Sequence, residues 1–231
     1  VPEPLTAAFV AARLSALKQA TLAAHRAIEL RSPLARLIQP EVTLQDYGLA
    51  LQRLHLHFSR HEEAVMRALQ DHVPPPQLAQ RRTLAALKAD LTDLGLTAPE
   101  ATCATPPPSP ASAAGWLYVH EGTSLGGMVL LRHLRQALGA GLGTATRHYA
   151  RHGRGTAARW QETRRMIAGL LPDDAALAQA LAGAMAAFAA MDAVMTDPKE
   201  EPRPAATPSP GPKSAGRCPF AGGQTGMAAR S

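Results

Sequence analysis

Residues 118–130 read YVHEGTSLGGMVL. They lie inside a longer apolar stretch, residues 111–138, preceded by Ser109 as a cap and Pro110 in the first helical position, so the pattern predicts one long helix. Within residues 118–130 three glycines interrupt it, Gly122, Gly126 and Gly127, and each costs up to about 1 kcal/mol relative to alanine in a helix interior. Gly122 and Gly126 are one turn apart and, with Gly127, strip a helical face of side chains. Such a face suits the approach of a flat ligand to the backbone, a bend, or a close helix contact with no ligand at all.

Outward from this stretch, proline punctuates the chain at Pro74–Pro76, at Pro106, Pro107, Pro108 and Pro110, and repeatedly between Pro198 and Pro219. The intervals read as helices. From Leu5 to Leu30, Phe9, Leu14, Leu17, Thr21, Ala24 and Ile28 recur at three- and four-residue spacing. Thr43 followed by Asp46 marks a second start, carried by Tyr47, Leu51, Leu54, Phe58, Val65 and Leu69 to about Asp71. A third helix is expected over 77–94, stopped by Gly95, and two more over 156–170 and 172–195. No stretch alternates long enough for a strand. The expectation is an all-α, single-domain helical bundle over residues 1–196. Residues 197–231, rich in Pro, Ala, Ser, Gly and charge, are expected to form a disordered tail carrying Cys218-Pro219.

The chain has 231 residues, enough to bury one core, and only two cysteines, which excludes a disulfide scaffold. No apolar run is expected to reach the roughly 18 to 20 residues of a membrane span, and no secretion signal is read at the N-terminus, so a cytoplasmic protein with no membrane partner is the expectation. The net charge of +6 is dispersed, without basic blocks or interleaved aromatics, which argues against nucleic acid and leaves an acidic electron-transfer protein as a suitable partner.

The first helix places Lys18, Thr21, His25 and Glu29 on one side. A neutral imidazole binds metal through one nitrogen while its other N–H donates to a carboxylate, and Glu29 stands one turn after His25 to accept. Lys18 is positioned to neutralise an acid group of a ligand. An exposed helix with ordinary salt pairs would show the same spacing.

Together, LKQATLAAHRAIE on the first helix and YVHEGTSLGGMVLLRHL on the fourth resemble the heme oxygenase family, bacterial type, and the six-helix reading covers residues 5–195. The resemblance implies a heme oxygenase-like bundle with heme between these two helices. It implies oxidative cleavage of heme, at once substrate and cofactor, to biliverdin, CO and ferrous iron, with O₂ and a ferredoxin or flavoprotein reductase as electron donor. His25 then looks like the iron ligand, Glu29 its partner, and Lys18, Tyr118 and Arg165 (or Arg164) contacts of the heme propionates. Gly122, Gly126 and Gly127 match the helix on the other side of the heme, and a methyl at Gly126 or Gly127 would fill the space for O₂. The bacterial type also resembles members that supply biliverdin to a bacteriophytochrome. Iron acquisition is the competing purpose.

The chain departs from the mammalian pattern, which has an aspartate after the first glycine, where this sequence has Thr123 and then Ser124. Water held by hydroxyls and backbone carbonyls would have to deliver the proton that O₂ activation needs. That departure and the Cys-Pro tail, which resembles a heme regulatory motif, motivate the rival reading of a non-catalytic heme-binding, heme-transfer or heme-sensing protein. His55, His57 and His61 lack a complete ligand set and are read as solvated or packing residues. Met185, Phe188 and Met191 are read as core, and Cys103 receives no role.

Overall fold

The computed structural model describes residues 5–99, 101–125 and 127–196, with Ser124 described through its backbone alone. Gly126, the Ser124 side chain and the tail with Cys218 and Pro219 therefore lie outside the described residues. Among these residues the structure is helical and contains no strand.

Local capping chemistry sets several of the helix starts. Helix α1 (Ala7–Arg31) begins where the Thr6 hydroxyl accepts from the Phe9 N–H. It ends at Ser32, whose side chain caps a 3-10 segment (Pro33–Ile38) with proline in its first turn. Helix α2 (Leu44–Leu69) opens with the expected capping box, in which Thr43 accepts from the Asp46 N–H at 3.1 Å and Asp46 accepts from the Thr43 N–H at 3.0 Å.

The helix expected over 77–94 is two helices, α3 (Pro75–Ala79) and α4 (Leu84–Asp93). The break has a tertiary cause: the buried carboxylate of Glu62, on α2, accepts from the backbone N–H groups of Thr83 and Leu84 and so acts as the cap of α4 from another helix. The long fourth helix corresponds to α5 (Pro110–Leu125) and α6 (Gly127–Leu138), on either side of Gly126. Ser109 accepts from the Ser112 N–H as anticipated. After Gly139, whose positive φ of 53° ends the helix, a 3-10 turn leads to α7 (Arg147–Ala150), which the sequence did not announce. Buried Asp90 accepts from the Arg147 and His148 N–H groups and starts it. Helices α8 (Thr156–Gly169) and α9 (Asp174–Met195) are the last elements among the described residues.

Helix α9 is the spine. Arg13 pairs with Asp174 at 2.6 Å, the His25 ring meets Phe188, and Arg31 approaches Asp192 at 4.0 Å, so α1 and α9 run parallel and nearly in register. On its other side α5 packs so closely that a Cβ on Gly115 would strike the Ala180 carbonyl, and one on Gly183 would strike that of Ser112. Ala180, Ala184 and Ala187 are fully buried.

Contrary to the sequence expectation, α9 is long and apolar enough, by length and composition, to cross a membrane, with a mean hydropathy of 1.5. Its apolar character follows from packing against α1, α2 and α5, since a helix touched on several sides is apolar nearly all round.

Candidate functional site

His25 stands on the open side of α1. Its Nδ1 lies 3.4 Å from Glu29 Oε2, and its ring meets Phe188 edge-on with centroids 6.0 Å apart. The imidazole is about one third exposed (35%), enough for one edge to meet a ligand. Of the face read from the sequence, Lys18 is exposed and Thr21 is buried, so that face straddles the rim between core and solvent.

Thr21 links this helix to the glycine helix. Its hydroxyl donates to the Leu17 carbonyl at 2.7 Å, and its side chain is approached by the Tyr118 phenol. Burial pushes the Tyr118 pKa up, with Thr21 opposing, so the phenol remains protonated. Tyr118 also packs against Trp160 of α8, centroids 6.0 Å apart. Tyr118 thus joins α1 to α5, one turn before His25 on the former and one turn before Gly122 on the latter.

The described glycines do different things. A Cβ built on Gly122 meets nothing within 4 Å, so this glycine leaves open space beside α5. A Cβ on Gly127 would lie 2.8 Å from the Tyr149 carbonyl oxygen and 3.3 Å from its ring. Gly127 therefore lets α6 approach α7, and the expectation that a methyl there would fill a ligand's space is corrected to a packing requirement. Around the glycine segment Leu125, Met128 and Val129 are left exposed, as is Leu22 on α1. Uncovered apolar side chains of this size suit an apolar ligand. Thr123 donates its hydroxyl proton to the His120 carbonyl at 2.7 Å, which leaves its oxygen as an acceptor. Arg165 is exposed on α8, while Arg164 is partly covered and donates to Gln161.

The flank of α5 that carries Glu121 and Leu125 holds only a small recess. With His152, Thr156 and Trp160 these residues surround a recess of about 10 Å³, room for one water. A wider recess, about 590 Å³, is a groove between Leu44, Gln52, Asp93, Leu96 and Gly141, and no residue of α1 lines it.

Behind the glycine face lies a buried polar cluster that the sequence reading did not anticipate. Glu121 accepts from Arg81 at 3.2 Å, from Arg151 at 2.7 Å and from the Thr163 hydroxyl at 3.2 Å. Next to it, His120 Nε2 faces His57 Nε2 at 3.1 Å, with Trp116 and His61 against the pair. Burial brings His57 down to about 3 and His120 well below the usual histidine range, so both are neutral. His55 and His57 are packing residues, not solvated ones. A signal for the cluster was available: His120 and Glu121 are the sole strongly polar pair in the otherwise small and apolar run from Pro110 to Gly122, and such a pair deep in a helix needs partners. Phe188 and Met191 are core as read, whereas Met185 is exposed, as is Cys103.

Comparison with known proteins places these features in context. A family model described as heme oxygenase matches residues 12–197. A curated protein named heme oxygenase, from Xanthomonas campestris pv. campestris (strain 8004), is 39% identical over 105 residues, 45% of this chain and 61% of that protein. The match thus spans less than two thirds of that relative's length. The crystal structure of NO- and CO-bound heme oxygenase from Neisseria meningitidis has a TM-score of 0.59 and 24% identity, covering 87% of this chain and 98% of that one. It shares the all-helical fold.

Proposed function

The chain belongs to the heme oxygenase family, and we propose that it cleaves heme oxidatively to biliverdin, carbon monoxide and ferrous iron, using O₂ and electrons from a ferredoxin or flavoprotein reductase. The observation that carries this reading is the open flank at Gly122, on a helix that Tyr118 ties to the helix bearing His25 and Glu29. Heme, when bound, supplies the iron at which O₂ is activated and the porphyrin edge that is oxidised.

The chain's own residues bind and orient. His25 would hold the iron through Nε2, while Glu29 beside Nδ1 fixes the tautomer and makes the ligand more basic. Lys18 and Arg165, both exposed, would pair with the propionates at the rim. Tyr118 would join them by turning its proton from Thr21 to a carboxylate. Thr123, its own proton engaged by His120, would hold a water by accepting from it, with Ser124 and backbone carbonyls completing that shell. Gly122, whose Cβ position faces open space, would keep side chains clear of a ligand on that flank.

A basic chain suits an acidic electron donor, and the cytoplasm is the compartment this reading expects. Delivery of biliverdin to a bacteriophytochrome is the proposed purpose. The test is to add hemin to the full chain and record its spectrum before and after supplying electrons. Loss of the heme band with biliverdin and CO appearing supports the enzyme. A stable heme band under electron supply would instead make this a carrier, and no spectral shift on adding hemin would overturn both.

A further inference from the structure

We propose that Glu121 is a positioning residue for heme cleavage: held by Arg81, Arg151 and Thr163, it fixes the setting of the Gly122–Thr123 backbone against the ligand face. This rests on reading the Gly122 flank as the side where heme lies.

At Gly122 no side chain reaches across to hold α5 from the open side, and a Cβ there would meet nothing. The helix must therefore be held from behind. It is held at Gly115, whose backbone is pressed against α9, and the adjoining α6 is held at Gly127 against Tyr149. Between these contacts, twelve residues apart, Glu121 is the charged anchor.

Its carboxylate is 3% exposed and is gripped from three separate parts of the chain. Arg81 comes from the turn between α3 and α4, Arg151 follows α7, and Thr163 lies on α8. Charge-assisted bonds of this kind are directional and short. Arg81 is itself 1% exposed and also approaches Glu162 at 3.5 Å, while Arg151 donates from Nε to His152 at 3.0 Å. The anchors are thus themselves anchored. Because Glu121 immediately precedes Gly122, any rotation of α5 about its axis that moves the Gly122 backbone must first pull this carboxylate from its partners.

A rigid setting matters because displacement of a reacting geometry by about 1 Å can lower a rate on the order of a hundredfold. Glu121 does not touch the ligand face, because its buried carboxylate is engaged by Arg81, Arg151 and Thr163. Its effect is therefore expected in kcat and in the surroundings of a bound gas, with the KM for hemin little changed.

The experiment uses the full chain loaded with hemin, reduced and exposed to CO, comparing wild type with Glu121→Ala, Glu121→Gln and Arg151→Lys. The expected result for Glu121→Ala is retained hemin binding, a broadened or shifted C–O infrared stretch, and a fall in kcat of about tenfold or more at similar KM. Glu121→Gln, which keeps one acceptor oxygen and sets an NH2 group where the other stood, should recover part of both. If Glu121→Ala does not fold, Arg151→Lys is read by the same criteria, since it keeps the charge and loses the fork. A lowered melting temperature with unchanged C–O stretch and kcat in the folded variants would make Glu121 a purely structural residue and overturn the proposal. Failure of wild type to bind hemin would instead reject the reading of the site.

Discussion

The Tyr118 phenol approaches the side chain of Thr21, one helical turn before His25 on the neighbouring helix. The contact couples the spacing of two helices to a group that is also a candidate for a propionate. Tyr118→Phe and Thr21→Val separate the roles. If spacing is what counts, both variants lose about 1 kcal/mol of stability and weaken hemin binding alike. If Tyr118 also meets a propionate, only Tyr118→Phe changes the biliverdin isomers resolved by chromatography.

Gly122 and Gly127 should respond to a methyl in opposite ways. Gly122→Ala meets open space and gains helix propensity of up to about 1 kcal/mol, so its melting temperature should hold or rise while turnover falls. Gly127→Ala presses on the Tyr149 carbonyl and should lose about 1–3 kcal/mol by overpacking. Calorimetry beside a biliverdin assay reads both. A turnover loss in Gly127→Ala with no loss of stability would return that glycine to the ligand face.

His25→Ala should still take up hemin through apolar and propionate contacts but lose most turnover, and added imidazole should restore part of it. The Soret position reports the axial ligand directly. An alanine variant with the wild-type spectrum and full turnover would move the iron to another histidine.

Acid should destabilise the fold from about pH 6.5 downward. His57 and His148 are brought down to about 3 by burial, while in the unfolded chain they take up protons near 6.5, so the unfolded state gains protons first and their contribution is lost as pH falls between these values. Each contributes a slope approaching about 1.4 kcal/mol per pH unit below 6.5. Glu62 and Asp90, which burial pushes up, offset part of it at the lower end. Urea titrations at pH 7 and pH 5 measure the slope. His148→Phe, which keeps ring volume, should flatten it, and an unchanged slope would remove His148 from the account.

A chain ending at Thr196 should retain folding and heme turnover, because the composition beyond it contributes no core. Hemin titrations of the full chain and Cys218→Ala should differ only above one equivalent if the thiol binds heme. Identical titrations would leave Cys218 without that role.

The parts legible from sequence were those whose causes lie within a turn or two. Thr43 with Asp46, Ser109 with Pro110, and His25 with Glu29 are local pairs, and all appear where expected. The split between α3 and α4 was hidden because its cap, Glu62, comes from another helix, as was α7, which starts on Asp90. The same holds at the site. Arg81, Arg151 and Thr163 reach Glu121 across 30 to 42 residues, and no periodicity encodes that convergence. Gly122 and Gly127 read alike as letters, and only their surroundings tell an open flank from a tight contact.

The seating of α1 and α5 on opposite sides of α9, the first parallel to it and the second antiparallel, has a consequence for how this protein could change. Ala180, Ala184 and Ala187, buried without remainder, act as shims: their size sets how far α5 stands from the spine, and hence from the helix bearing His25. A larger residue at one of them cannot be absorbed where Gly115 already touches the Ala180 carbonyl, so α5 must move bodily. Variants selected for porphyrins of other widths should therefore carry substitutions along α9 at positions that never meet the porphyrin.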